Sequence, residues 1–191
     1  RFHIGDNPLV MYTGILDRLQ RVDYLLKAMQ TVVEKRDDAR LLMVTNIAKE
    51  QDLRHCQETI EELGLEEHVA IVTHDTFEEL PLFLAAADVT VVCRPHCPGF
   101  PLKLLNYMAA SKPIVAFEGS AKGLQHLKHA FVVQDHDWKE LGRGITKLLE
   151  FPELAETLGQ NGRQWVEERF SCSYLAGQIE DVYDDVLEGR P

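Results

Sequence analysis

The stretch DVTVVCRPHCPGFPLKLLNYMAASKPIVAF, residues 88–117, reads as strand, loop, helix and strand in succession. Asp88 to Cys93 is a short run rich in β-branched residues, the mark of a buried strand. Arg94 to Gly99 is a turn-rich loop. Pro101 suits the first turn of a helix, because the N–H it lacks is one that a helix start leaves unbonded. Lys112-Pro113 closes that helix, since a proline cannot continue it. Ile114 to Phe117 is the next apolar run. Two apolar strands joined through a helix form the βαβ unit of a parallel sheet.

The same alternation extends in both directions. Leu9-Val10-Met11-Tyr12 is a first strand ending at Thr13-Gly14. A loop with Asp17, Arg18, Gln20 and Arg21 follows it. Val22, Leu25, Leu26, Met29 and Val33 then recur at helical spacing. Arg40 to Val44 is the second strand. A helix from about Lys49 to Leu63 stops at Gly64, a C-cap glycine. Val69 to Val72 is the third strand. Thr76 and Glu79 have capping-box spacing, and Pro81 places the helix itself at Pro81 to Ala87. Phe131-Val132-Val133 is the sixth strand. Beyond it the apolar faces are helical: Leu141, Ile145, Leu148 and Leu149; Leu154 and Leu158; and Leu175, Ile179, Val182 and Val186.

This pattern predicts an α/β fold, a doubly wound parallel six-stranded sheet with C-terminal helices over residues 152–191. Ligands in such sheets bind beyond the carboxyl ends of the strands, where the strand order reverses. The loops after the first and fourth strands are therefore the places to look for chemistry.

Composition narrows the classes. The 191 residues are 45% hydrophobic and 27% charged, with a formal net charge of −11. That balance excludes the broad basic face of a nucleic-acid binder. It leaves room for a local phosphate site, which needs only a cation and a helix N-terminus. No apolar run reaches the roughly 20 residues of a membrane span. Cys56, Cys93, Cys97 and Cys172 contain one close pair, short of the four ligands of a structural zinc site, and read as free thiols in a reducing cytoplasm. No metal and no cofactor are expected. The start at Arg1 without a signal-peptide pattern reads as a piece of a longer protein.

The segment Gly99-Phe100-Pro101-Leu102-Lys103-Leu104-Leu105-Asn106-Tyr107-Met108-Ala109-Ala110-Ser111-Lys112-Pro113-Ile114-Val115 resembles the donor-site helix of group 1 glycosyltransferases, retaining enzymes of the GT-B fold. The resemblance continues through Tyr12-x-Gly14, Val22 to Ala28, Ala85 to Val89 and Arg163 to Ser171, and so covers nearly the whole chain in order. It implies the Rossmann-like, donor-binding half of that fold. Residues 1–7 would then be a linker from an N-terminal domain, and residues 1–191 one nucleotide-sugar-binding domain. The family pattern has a glutamate, then Gly-Phe-Gly, then a second glutamate in the helix. Here those glutamates fall at Pro98 and Asn106. The arginine and lysine expected after the first strand fall at Ile15 and Gln20, and a glycine expected after the second strand falls at Thr45.

A nucleotide sugar presents a diphosphate, a ribose, a base and a sugar. The helix that Pro101 opens offers the N–H groups of Phe100 and Leu102 to the diphosphate, and Gly99 allows close approach. Lys103 in its first turn opposes the helix dipole unless an anion is near, which makes it a phosphate ligand or else a solvated lysine. Asn106 can donate to and accept from a ribose hydroxyl. His96 is a candidate for the sugar, and Gly14 keeps its loop close to the donor. Arg18 or Arg21 would stabilise the leaving diphosphate, although neighbouring Asp17 and Asp23 equally suit a solvated charged loop. Cys93 reads as core packing, and Tyr12, Trp138 and Trp165 as core or interface aromatics.

The resemblance implies retaining, metal-independent transfer of a sugar from a UDP-, GDP- or ADP-sugar to an acceptor hydroxyl, by a cytoplasmic enzyme, with the second domain as the route to any peripheral contact with the inner membrane. The isolated domain is expected to transfer nothing. A non-catalytic module that binds a nucleotide sugar or a partner, and a nucleotide-sugar epimerase of the same fold, remain open. A dehydrogenase is disfavoured, since no Gly-x-Gly-x-x-Gly follows the first strand.

Overall fold

The computed structural model describes residue 5, residues 7–73 and residues 78–189. Thr76, half of the expected capping box, lies outside them, as does most of the expected linker. The sheet consists of β1 (Leu9–Thr13), β2 (Arg40–Thr45), β3 (Val69–Thr73), β4 (Val89–Val92), β5 (Ile114–Phe117) and β6 (Phe131–Val133). All pairings are parallel, in the order β3-β2-β1-β4-β5-β6. The doubly wound sheet read from the sequence is the one observed. Its strands are apolar on both faces because helices cover both.

The crossovers are α1 (Val22–Val33), α2 (Glu50–Glu62), α3 (Leu80–Ala86) and α4 (Leu102–Ala109). A short α5 (Glu118–Ala121) follows β5, and α6 (Trp138–Glu150), α7 (Pro152–Phe170) and α8 (Cys172–Leu187) complete the chain. Gly64, just past α2, has φ +66, as its capping role requires. One face of the sheet, with Val10, Tyr12, Leu41, Met43, Val91 and Phe117, packs with α1, α2 and α6. The other, Leu9, Met11, Leu42, Val92 and Ala116, packs with α3, α4, α5 and α7.

Two features were not in the sequence reading. One is α5, whose four residues are too few to show a period. It nevertheless holds the loop after β4. Ser120 Oγ donates to the Arg94 carbonyl, and Gly119 N donates to Asp135 Oδ1 at 2.9 Å. A Cβ at position 119 would collide with the Pro95 carbonyl oxygen. The other is the state of α8. Its apolar face forms as expected, but Ile179, Val182 and Val186 are exposed and none of the helix's residues is buried.

The sheet opens where its order reverses. β1 pairs with β4 only at Val10–Val89 and Met11–Thr90, whereas β1 stays paired with β2 through Thr13. Past Met11, the β4 side of β1 has no strand to bond. The Thr13 amide on that side donates instead to the Tyr107 hydroxyl of α4 at 2.8 Å, and Thr13 Oγ1 lies 2.9 Å from the same hydroxyl. Tyr107 is fully buried. This one side chain ties α4 to the mouth of the opening.

Replacing it tests the tie. Tyr107→Phe leaves the buried Thr13 amide without an acceptor. It is expected to cost about 1–3 kcal/mol, seen in urea unfolding as a lower midpoint with an unchanged slope.

Candidate functional site

A cleft of about 550 Å³ occupies the opening between β1 and β4. Its first wall is the end of β1 and its loop, with Thr13, Gly14, Ile15 and Gln20. Val44 of β2, Asn46 and Ile47 beyond it, and Leu80 and Phe83 of α3 make a largely apolar second wall. Arg94, Cys97, Phe100 and Pro101 after β4, with Leu102, Lys103 and Asn106 of α4, make the third. Ser120 of α5 also reaches it. A groove between α3 and α4 continues the cleft, sharing Leu80 and Asn106.

The cleft reverses the sign of the whole chain. Arg94 and Lys103 line it, and among the described residues no carboxylate and no imidazole does. The amino end of α4 adds unbonded N–H groups. Pro101 is its cap, extended at φ −70 and ψ 110, so Leu102 carries the first helical N–H. Phe100, just before it, lines the cleft and is braced from behind by Trp165, stacked at 6.4 Å, and Phe170, tilted at 5.0 Å. Two cations without lining acids beside a helix amino end give the cleft a local potential that favours negative charge.

Lys103 is the most constrained of these groups. Its Nζ lies 4.0 Å from the centre of the buried Tyr12 ring and donates to Gln20 Oε1 at 3.2 Å. Its pKa is lowered to about 8, chiefly by burial and also by the Arg94 charge, while Cys93, Asp17 and Cys97 act in the opposite sense. Gly14 makes room for it: φ is +129, and a Cβ there would stand 2.8 Å from Nζ. Tyr12 is in the core as expected, but its hydroxyl also donates to Ile15 O at 2.7 Å and so shapes the loop. Cys93 is buried, with its thiol pushed up to about 12 by burial. All four cysteines are free.

The expected site residues divide into two groups. Gly14, Phe100, Leu102, Lys103 and Asn106 line the one cleft. Arg18, Arg21, His96 and Gly99 are not among its lining residues. Arg21 is held at the start of α1 by Asp23, with both contacts at 2.9 Å, and its guanidinium stands 3.7 Å from the Tyr24 ring centre. Arg18 and His96 are exposed. The sequence reading missed Arg94, whose Nε donates to the His96 carbonyl at 2.7 Å. Its place directly after the fourth strand was the available signal. It also missed Asn46 and Phe83, which reach the cleft only through the packing of distant loops. Among the described residues, no group of three His, Cys, Asp or Glu is disposed to hold a metal.

The fold and cleft define an α/β domain with a basic crevice at the reversal of strand order. The sequence profile of the glycosyl transferases group 1 matches residues 2–165, and the chain belongs to that family. It is 26% identical over 189 residues to the GDP-mannose-dependent alpha-(1-6)-phosphatidylinositol monomannoside mannosyltransferase of Mycobacterium tuberculosis, covering 95% of this chain and 48% of that protein. Sucrose-phosphate synthase from Thermosynechococcus elongatus superposes with TM-score 0.85 at 27% identity, over 96% of this chain and 46% of that one. Anabaena HepE, crystallised in complex with UDP, shares the fold with TM-score 0.85 at 20% identity, over 95% of this chain and 50% of that one. The chain thus spans about half the length of the relatives it matches.

A buried cation in neutral surroundings weakens the ligand-free fold. Between the depressed value near 8 and the usual 10.5, the unfolded chain keeps a proton that the folded one has lost, so stability contributed by Lys103 rises with pH across that window. Lys103→Met is therefore expected to raise ligand-free stability by about 1–3 kcal/mol at neutral pH. The gain should shrink toward pH 10, as followed by chemical denaturation at both pH values.

Proposed function

We propose that this chain is the nucleotide-sugar-binding part of a glycosyltransferase. It holds a nucleoside-diphosphate sugar for transfer to an acceptor hydroxyl, with retained anomeric configuration and without a metal. The observation that carries this reading is the crevice between β1 and β4, lined by Arg94 and Lys103 with no carboxylate among the described residues. The diphosphate lies at the amino end of α4, against Leu102 N–H and the two cations. The apolar wall of Ile47, Leu80 and Phe83, with Asn46 at its edge, suits a flat base. Asn106 stands where the family pattern carries its second glutamate and offers an amide to the ribose.

Chemically, the chain supplies positioning and stabilisation of the departing diphosphate. The cations are strongest where charge develops in a cleft screened from water. The acceptor and any catalytic base belong to a second, N-terminal domain. The uncovered apolar face of α8 supports a further partner surface. Alone, the chain binds donor weakly and transfers nothing.

One observation favours a second reading, a non-catalytic module that recognises a nucleotide sugar. Among the described residues, no carboxylate and no imidazole lines the cleft to take a proton from an acceptor. Sugar transfer by the full-length protein from any nucleotide sugar would eliminate that reading.

The test is a thermal-shift and calorimetric panel of UDP, GDP, ADP and their sugars. A specific ligand at about 100 times its Kd adds roughly 2.7 kcal/mol of stability. Lys103→Ala is expected to weaken the diphosphate about 10- to 100-fold while leaving the nucleoside within about twofold. Equal losses for both would remove Lys103 as the phosphate contact. In the wild type, diphosphate affinity should fall about tenfold per pH unit above about 8, as the free amine loses its proton.

A further inference from the structure

Lys103 enters the crevice from α4, yet its ammonium rests against the opposite wall. Its partners there, the Gln20 amide oxygen and the Tyr12 ring, are uncharged. Asp17, the carboxylate on that loop, is turned to another task. Its Oδ1 accepts from the Leu19 and Gln20 amides at 3.1 and 3.0 Å. No salt bridge to Lys103 forms among the described residues. Gln20 is itself fixed from two sides. Its N–H is bound by Asp17, and its carbonyl accepts from Cys93 Sγ at 3.3 Å.

Residue type at position 20 decides what the amine offers. A carboxylate would orient the ammonium but neutralise it. An apolar side chain would leave a buried cation without an acceptor. An amide carbonyl orients the cation and leaves its charge unspent. We propose that Gln20 is a positioning residue, which aims the Lys103 ammonium into the cleft while keeping its positive charge available to a phosphate. This rests on the donor-binding reading above and deepens it. The groups facing the amine are Tyr12 of β1, Asp17 of the following loop, Cys93 at the end of β4, and Arg94 and Cys97 beyond it. None of the five neutralises it at contact distance.

The experiment has a ligand-free arm and a ligand arm, both on this chain. In the first, competitive acetylation with peptide mass spectrometry titrates the Lys103 amine from about pH 6.5 to about pH 10.5. The wild-type midpoint is expected near 8. Gln20→Glu should raise it by about one unit or more, and Gln20→Met, which removes the acceptor, should lower it. In the second arm, calorimetry at neutral pH follows pyrophosphate, UDP and uridine. Gln20→Glu should weaken pyrophosphate and UDP about tenfold or more, with uridine changed by less than about twofold. It should also carry the fall of UDP affinity to higher pH.

Midpoints unchanged in both variants overturn the proposal, whatever the nucleotides do. So does a raised midpoint in Gln20→Glu with pyrophosphate affinity unaltered. Failure of the wild-type chain to bind UDP, GDP or pyrophosphate sinks the donor-site reading separately, since the amine titration decides the role of Gln20 without a ligand.

Discussion

The parting of β1 from β4 after Met11 is the constraint on which the rest depends. In a parallel sheet the chain leaves each strand by a crossover of one hand. Successive crossovers from β1 run toward β2 and β3, while those from β4 run toward β5 and β6. The loops after β1 and β4 therefore diverge, and the sheet edge between them cannot be filled by backbone. Such an opening leaves strand amides without partners. Here the Tyr107 hydroxyl takes up the Thr13 amide, and in doing so it places the start of α4 beside the loop after β1. The cleft follows from one unfilled side of one strand.

That geometry explains how an acidic chain acquires a basic hollow. Arg94 is set at the rim because it is the second residue past β4. Lys103 is drawn inward because α4 begins at the rim and its first turn faces β1. The price is a cation held in a poorly solvated place, lowered by burial and sharing the cleft with a second cation. A fold that tolerates this loses stability in the empty state, and an anion bound beside Lys103 would restore it. The aromatic stack of Phe100, Trp165 and Phe170 and the grip of α5 on the Arg94 loop keep both walls in place meanwhile.

Much of the architecture was legible along the chain. Each of the six strands is a run of apolar or β-branched residues, and α1, α2 and α6 carry faces at helical spacing. Those signals are local, so a linear reading finds them. The handedness of crossovers restricted the topology to a doubly wound sheet, and the loops after the first and fourth strands could be named as the place of the cleft. The short α5 escaped because four residues show no period. Within the candidate site, Gly14, Leu102, Lys103 and Asn106 were found because the loops after the first and fourth strands could be named in advance. Arg94 was overlooked although it stands at the same strand end.

By itself, then, the sequence determined the layers, the doubly wound topology and the two loops that flank the cleft, because all three are written in periodicity and in the fixed hand of βαβ units. Which side chains turn into the cleft was decided only in three dimensions. Arg21 and Lys103 look equally eligible as cations near a strand end. Asp23 captures the first within two residues of its own backbone. The second, with no carboxylate at ion-pair distance among the described residues, settles on Gln20, 83 residues away. A cation pairs with whatever acceptor folding brings closest, and that distance is a property of the packed chain rather than of its order.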